Sequence, residues 1–294
     1  GRRWDKASGA WIVPATNKGK AELDQFSYYI KHFEPVIWGD QKAVNSDEDV
    51  AYTLPDMPEL EGDHGLKIEP YPYQLQGIAR GLQLKRFING DDMGLGKTLE
   101  AIATINKANA FPCLVICPNV VKINWQREWA KFTDKKAMVL TDSVRTSWPF
   151  FWQTGMNQVF IVNYESLRKY FVRRITKSEK WTLKDVEFHQ TIKLFKSVII
   201  DESHKVKSTS TQQSKFCKGI ASGKEYIILL TGTPVVNKPN DLVCQLGIMD
   251  RMIDFGGWKY FMSRYCSGPN GASNLKELNF MLWKNCFFRR EKAK

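Results

Sequence analysis

Short apolar runs alternate along this chain with amphipathic stretches, and the alternation predicts an architecture. Cys113-Leu114-Val115-Ile116-Cys117, Val159-Phe160-Ile161-Val162, Ser197-Val198-Ile199-Ile200 and Tyr226-Ile227-Ile228-Leu229-Leu230 are continuous runs of strand length, each followed by proline or polar residues. A strand covered on both faces has this pattern, whereas a strand with one wet face alternates. Helical spacing lies between them. It marks Leu75, Ile78, Ala79 and Leu82 in the stretch from Pro70 to about Lys85, then Leu99 to Ile105, Val120 to Phe132, Tyr164 to Tyr170 and Ser208 to Ile220. In Val120 to Phe132 the pair Trp125 and Trp129, four residues apart, predicts a core stripe. Strands that alternate with helices predict an α/β fold: one mostly parallel sheet with helices on both faces.

The first seventy residues break this rhythm. Arg2 to Asp5 and Ala10 to Pro14, around a turn containing Gly9, predict a small hairpin, and Leu23, Phe26, Tyr29, Ile30 and Phe33 predict a helix over 19–33. Residues 1–38 are thus expected to form a small hairpin-helix module with few residues for a core of its own. Residues 39–69, with Pro55 and Pro58, are expected to be an acidic linker, the alternative being a strap over a basic body. Residues 70–294 hold the sheet.

Charge supplies that basic body. The 294 residues carry 43 Lys plus Arg against 31 Asp plus Glu, a net +12. Residues 40–69 hold nine acids and two lysines, so the rest of the chain carries +19. Such an excess points to nucleic acid, an acidic membrane surface or a basic soluble surface. No run of about eighteen apolar residues occurs, so no membrane span is expected. Six cysteines lack any Cys-x-x-Cys pair and the four histidines do not cluster with them, which argues against a zinc site. An intracellular, reducing setting is expected: cytoplasm or nucleoid for a prokaryotic or viral source, nucleus for a eukaryotic one.

The candidate chemistry sits where strands end. Asp91-Asp92-Met93-Gly94-Leu95-Gly96-Lys97-Thr98 joins the short strand Arg86-Phe87-Ile88-Asn89 to the helix at Leu99. Backbone N–H groups in such a turn point at phosphate oxygens, the helix N-terminus adds partial positive charge, and glycines let the main chain approach. Lys97 is placed to reach the outer phosphates and Thr98 to offer its hydroxyl to Mg²⁺, which makes ATP and Mg²⁺ the expected cofactors. The full phosphate-loop pattern wants glycine where Asp91 stands, so on the octapeptide alone an ordinary glycine-rich turn stays open. A second motif narrows the choice. The run Ser197–Ile200 delivers Asp201 and Glu202 to the edge where ligands of open α/β sheets bind. Asp201 is the expected Mg²⁺ ligand, and Glu202 the base for the water that attacks the γ-phosphate. Thr231 and Thr233, flanking Gly232 after the last apolar run, place hydroxyls beside those carboxylates. Gln74, just before the loop strand, can present both a donor and an acceptor to an adenine edge. The basic, aromatic segment with Arg168, Lys169, Arg173, Arg174, Lys177, Lys180, Trp181 and Lys184 is either a DNA-facing insertion or solvated surface.

With those residues in order, the chain resembles the first ATPase lobe of superfamily II helicase-like proteins of the Swi/Snf class. Gln74 resembles the Q motif, Asp91 to Thr98 motif I, Asn119 to Trp129 motif Ia, Asp201-Glu202-Ser203-His204 the DExH box and Thr231-Gly232-Thr233-Pro234 motif III. In this class an acidic residue normally takes the first position of motif I, which accommodates Asp91. Asp91-Asp92-Met93-Gly94, Ile200 to Lys205, Arg264-Tyr265-Cys266, Ser273 to Leu278 and Arg289-Arg290 look like the HARP-like annealing-helicase branch, and residues 1–38 look, more weakly, like its accessory module. Tyr71 stands where many relatives have Arg.

The resemblance implies a RecA-like lobe that binds ATP through Gln74 and Asp92 to Thr98. It implies coupling of that site to DNA through His204, Thr231, Gly232 and Thr233, and DNA-backbone contacts at Asn119, Lys122, Lys207 and Lys238. The expected activity is that of a DNA-dependent ATPase that remodels or anneals duplex or branched DNA. Relatives carry arginine fingers and half of the DNA track on a second RecA-like lobe, which is expected to lie outside this chain, leaving the fragment nearly inactive alone. An RNA-directed helicase of the same superfamily and a non-catalytic, nucleotide-binding scaffold on nucleic acid are the alternatives.

Overall fold

The computed structural model describes residues 3–5, 10–12, 52–177, 179–232, 239–267 and 271–292. The chain divides into two compact units, Gly1–Ser46 and Asp47–Lys294. In the first, β1 (Arg3–Asp5) pairs antiparallel with β2 (Ala10–Ile12), as the hairpin pattern predicts. The helix expected over 19–33 lies outside the described residues.

The second unit is built on a seven-stranded sheet. In chain order its elements begin with α1 (Pro72–Leu84), β3 (Arg86–Asn89), α2 (Lys97–Lys107), β4 (Cys113–Cys117), α3 (Lys122–Phe132) and β5 (Ala137–Val139). They continue with α4 (Trp148–Gln153), β6 (Val159–Asn163), α5 (Leu167–Phe171), β7 (Val172–Ile175), β8 (Val186–Phe188) and β9 (Ser197–Ile200). The last are α6 (Gln212–Ala221), β10 (Tyr226–Leu230), α7 (Asn240–Met249), α8 (Gly257–Tyr265), α9 (Leu275–Asn285) and β11 (Phe287–Phe288). The sheet order is β11-β3-β10-β9-β4-β6-β5, and every pairing in it is parallel.

Parallel strands need covered faces, and side chains of alternate parity supply two cores. Leu114, Ile116, Val198, Ile200, Ile227 and Leu229 face the core that holds Phe216, Ile220, Leu246 and Phe261. Cys113, Val115, Cys117, Ile199, Ile228 and Leu230 face the opposite one, with Ile78, Ile102, Ile105 and Trp129. Helices therefore lie on both faces. Because β10 lies between β3 and β9, the loop after β3, the acids after β9 and the polar turn after β10 emerge side by side at one sheet edge.

One difference from expectation lies beside the site. Residues 52–69 are a strap and not a free linker. The Lys67 amide donates to the Phe132 carbonyl at 2.8 Å, Asn106 and Lys107 each reach the strap's main chain at 2.7 Å, and Met57, Leu60, Leu66 and Ile68 pack on the core. Apolar residues interleaved with the acids give this stretch surface to bury, which a solvated linker lacks. The basic segment, in turn, folds as the β7–β8 hairpin. Its charges are partly spent within it, Arg174 pairing with Glu187 at 2.6 Å and Lys177 with Asp185 at 3.1 Å.

Candidate nucleotide site

The loop between β3 and α2 is shaped by two left-handed glycines, Gly94 (φ 83°) and Gly96 (φ 89°). Position 96 also lacks space: a Cβ there would collide with the Gln74 amide nitrogen. Gly96 starts α2 without any side-chain cap, so the first N–H groups of that helix stay directed into the loop. Lys97, half-buried, donates to the carbonyls of Asp91 (2.7 Å) and Asp92 (3.0 Å). Burial lowers its pKa, while Asp91, Glu202, Asp201 and Asp92 pull it upward. Lys97 therefore lies within electrostatic reach of both carboxylates that β9 delivers. Thr98 follows it, half-buried, in the first turn of α2.

Asp201 is fixed from several sides. Its amide donates to the Ile116 carbonyl at 2.8 Å, Trp125 Nε1 donates to its Oδ2 at 2.8 Å, and the Glu202 amide donates to its Oδ1 at 2.9 Å. The Tyr164 hydroxyl donates to its carbonyl at 2.5 Å. Burial raises its carboxyl pKa, the Trp125 bond opposing and neighbouring Glu202 adding to the rise. A part-buried carboxylate held by an indole and a backbone amide, and crowded by a second acid, is favourable to a cation. Glu202 takes a left-handed backbone (φ 52°), which turns its side chain aside from the strand direction, and His204 Nδ1 lies 3.2 Å from its Oε2. Beside them Ser203 Oγ is buried without a partner among the described residues. No cluster of three or more metal-ligating side chains occurs among the described residues. One carboxylate and one hydroxyl suit Mg²⁺, which retains waters and takes phosphate oxygens for the rest.

After β10, Thr231 is buried and Gly232 faces the loop: a Cβ on Gly232 would stand 2.8 Å from Met93 Cγ and 3.7 Å from Lys97 Nζ. Thr233 and Lys238 lie outside the described residues. Gln74, also buried, accepts from the Tyr71 amide at 3.0 Å and donates to the Leu95 carbonyl at 3.1 Å. It ties the start of α1 to the loop, and its amide keeps one donor and one acceptor position in hand. Asn119 is exposed after β4, Lys122 donates to Asn163 Oδ1 at 3.3 Å, and Lys207 lies 4.0 Å from Asp241.

The sequence did not disclose what lies under the loop. Asp91 is fully buried and bonded through both carboxylate oxygens to Arg290, whose amide also donates to Asp91 Oδ1 at 2.7 Å. The same guanidinium reaches Glu100 at 2.5 and 2.7 Å and the Tyr73 carbonyl. Asn89 joins the group, donating to Glu100 Oε2 at 2.9 Å and accepting from the Asp91 amide at 3.0 Å. Burial pushes the Glu100 carboxyl up to about 8, against the pull of Arg290. Trp125 was likewise expected only in the core. The single signal for either was a polar group in an apolar stripe: Glu100 within Leu99–Ile105, and an indole N–H in a buried tryptophan.

A phosphate-cradling loop, an acid pair one strand removed and a polar turn between them define a RecA-like nucleotide-binding lobe. The chain belongs to the SNF2-related domain family, whose description matches residues 73–294. It is 30% identical over 243 residues to a Caenorhabditis elegans protein named SWI/SNF-related matrix-associated actin-dependent regulator of chromatin subfamily A-like protein 1 homolog, covering 76% of this chain and 31% of that one. It is 29% identical over 231 residues to the human DNA annealing helicase and endonuclease ZRANB3, covering 74% and 20%. Among solved structures, the Sulfolobus solfataricus SWI2/SNF2 ATPase core in complex with dsDNA matches with a TM-score of 0.62 at 25% identity, over 80% of this chain and 47% of that one. The chain thus spans a third or less of these two curated relatives.

Proposed function

We propose that this chain is the ATP-binding lobe of a DNA-dependent ATPase that remodels or anneals DNA. One observation carries the reading: the parallel order β3-β10-β9 brings Lys97, at the uncapped start of α2, to the same sheet edge as Asp201 and Glu202, with Gly232 between them so near that a Cβ on it would stand 3.7 Å from Lys97 Nζ. The loop amides and Lys97 hold the β- and γ-phosphates, and Gln74 offers its remaining donor and acceptor to adenine. Thr98 and Asp201 hold Mg²⁺, which when bound neutralises charge that builds on the phosphate oxygens. Glu202 orients the attacking water and takes its proton, and His204, Thr231, Gly232 and Thr233 link that event to DNA. Asn119, Lys122, Lys207 and Lys238 bind DNA phosphates, a role supported by the basic body and by the duplex in the matched core. A second RecA-like lobe completes the site.

The test is equilibrium binding of MgATP to residues 1–294, with turnover measured beside that of a two-lobed relative, with and without duplex DNA. We expect binding with very slow turnover and little response to DNA, because a fingerless site lacks a contribution of roughly a thousandfold. Absence of MgATP binding would refute the assignment, and DNA-stimulated turnover at the two-lobed rate would refute the need for a second lobe.

A further inference from the structure

Among the described residues, the four that follow β11 are bonded to the nucleotide loop more closely than any other sequence-distant segment. Beyond the Arg290 contacts, the Asp92 amide donates to the Arg290 carbonyl at 3.0 Å, and the Lys292 amide donates to Asp92 Oδ2 at 3.1 Å. Arg289 pairs with Asp92 Oδ1 at 3.1 Å. The Arg290 guanidinium is also packed face-on, its carbon 5.2 Å from the Tyr73 ring centroid and 5.4 Å from that of Phe288. Edge and faces are both occupied, so the planar fork has one seat, and a lysine cannot fill it. Its hydrogen-bond acceptors fix the first residue of the loop, and Lys97 is bonded to the carbonyls of that residue and the next.

We propose that Arg290 is the positioning residue of the nucleotide loop, and that segment 289–292 and loop 91–97 shift as one bonded unit. The proposal rests on the reading that this loop binds MgATP. The Arg290 guanidinium is spent on Asp91, Glu100 and the Tyr73 carbonyl. It sets the main chain that Lys97 and the α2 N-terminus present, and it transmits the state of that main chain to the strand exit. Coupling of this kind is reciprocal: a ligand that favours the seated loop steadies the exit segment to the same degree that the seated segment favours the ligand.

The experiment combines binding of a fluorescent ATP analogue with Mg²⁺ and hydrogen exchange of the 286–292 peptide, in the whole 294-residue chain. Wild type should bind, and the analogue should slow exchange at Arg290 and Lys292. Arg290→Lys should weaken binding on the order of tenfold and abolish the nucleotide-dependent protection, while circular dichroism and melting show a folded chain. Arg290→Lys with wild-type affinity and protection would overturn the proposal. If Arg290→Lys does not fold, Arg289→Gln decides, since it removes the part-buried pair with Asp92 and, besides it, only a pair with exposed Glu291 inside the same segment. Weaker binding with reduced protection supports the coupling, and unchanged values overturn it. Failure of wild type to bind at all, or undiminished binding by Lys97→Ala, would instead remove the nucleotide reading beneath it.

Discussion

Replacing Glu100 with glutamine should flatten the pH dependence of stability. The carboxyl is buried under the nucleotide loop with Asp91 and Arg290, one cation between two acids. Arg290 grips Asp91 through both oxygens, and burial then pushes Glu100 from 4.5 in the open chain up to about 8. A raised carboxyl pKa means that the folded chain keeps a proton the unfolded chain has already released. Its stabilising contribution is complete below about pH 4.5 and is lost as pH rises to about 8, with a limiting slope of about 1.4 kcal/mol per pH unit. The hydrogen bonds from Arg290 and Asn89 favour the ionised form and are already contained in that value; they narrow the pH window and leave the slope unchanged. The substituted amide keeps the shape but has no proton to lose, and turning one acceptor oxygen into a donor nitrogen beside Arg290 carries a cost that does not vary with pH. Urea unfolding of wild type and Glu100→Gln at steps between about pH 5.5 and about pH 8.5 measures the difference, with all other titrating groups common to both. Parallel stability curves would refute the protonated Glu100.

Lys97→Ala should abolish MgATP binding measured by calorimetry while leaving the melting temperature within a few degrees, because it removes a loop cation and no core side chain. Glu202→Gln should still bind MgATP, since the amide keeps the shape, yet in a two-lobed protein it should fail to hydrolyse it; equal loss of binding in both variants would refute the role assignment. Trp125→Phe should cost about 1–3 kcal/mol in denaturant unfolding at neutral pH, because it leaves part-buried Asp201 Oδ2 without its 2.8 Å donor. Wild-type stability would show that water replaces the indole. Replacing Lys177, Lys180 and Lys184 together with glutamine should weaken duplex DNA binding and reduce the salt slope by about 2–3; an unchanged slope would assign the β7–β8 hairpin to solvated surface.

Much of the architecture was legible because a doubly covered parallel strand has a signature that no wet strand shares. The four apolar runs all became central strands, and their polar ends marked the edge where the loop, the acids and Thr231 meet. Helix starts were less legible: Val120 sits in a 3-10 turn before α3, and Ser208 lies ahead of the Thr211 cap of α6. The strap at 52–69 stood only as the alternative to a linker, for a different reason. Its nine-acid neighbourhood dominates a composition count, while the four apolar residues that anchor it are too irregular to register as an element.

Least legible was the support beneath the loop, and the cause is topological. Arg290 stands 199 residues from Asp91 and 190 from Glu100, and it arrives there on β11, a two-residue strand that gives no periodic signal. Only the parallel pairing of β11 with β3, Phe287 opposite Ile88 and Phe288 opposite Asn89, brings the chain's end beside its phosphate loop. The sequence nevertheless states half of the problem. An acid in place of the expected glycine at 91, and another inside the apolar stripe of α2, are groups that an interior holds only when they are paired with a cation or kept protonated. Such residues require a cation that bonds in more than one direction, which favours arginine over lysine. Local pattern can thus declare that a buried counter-charge is needed, but strand order alone selects which of 43 basic residues provides it.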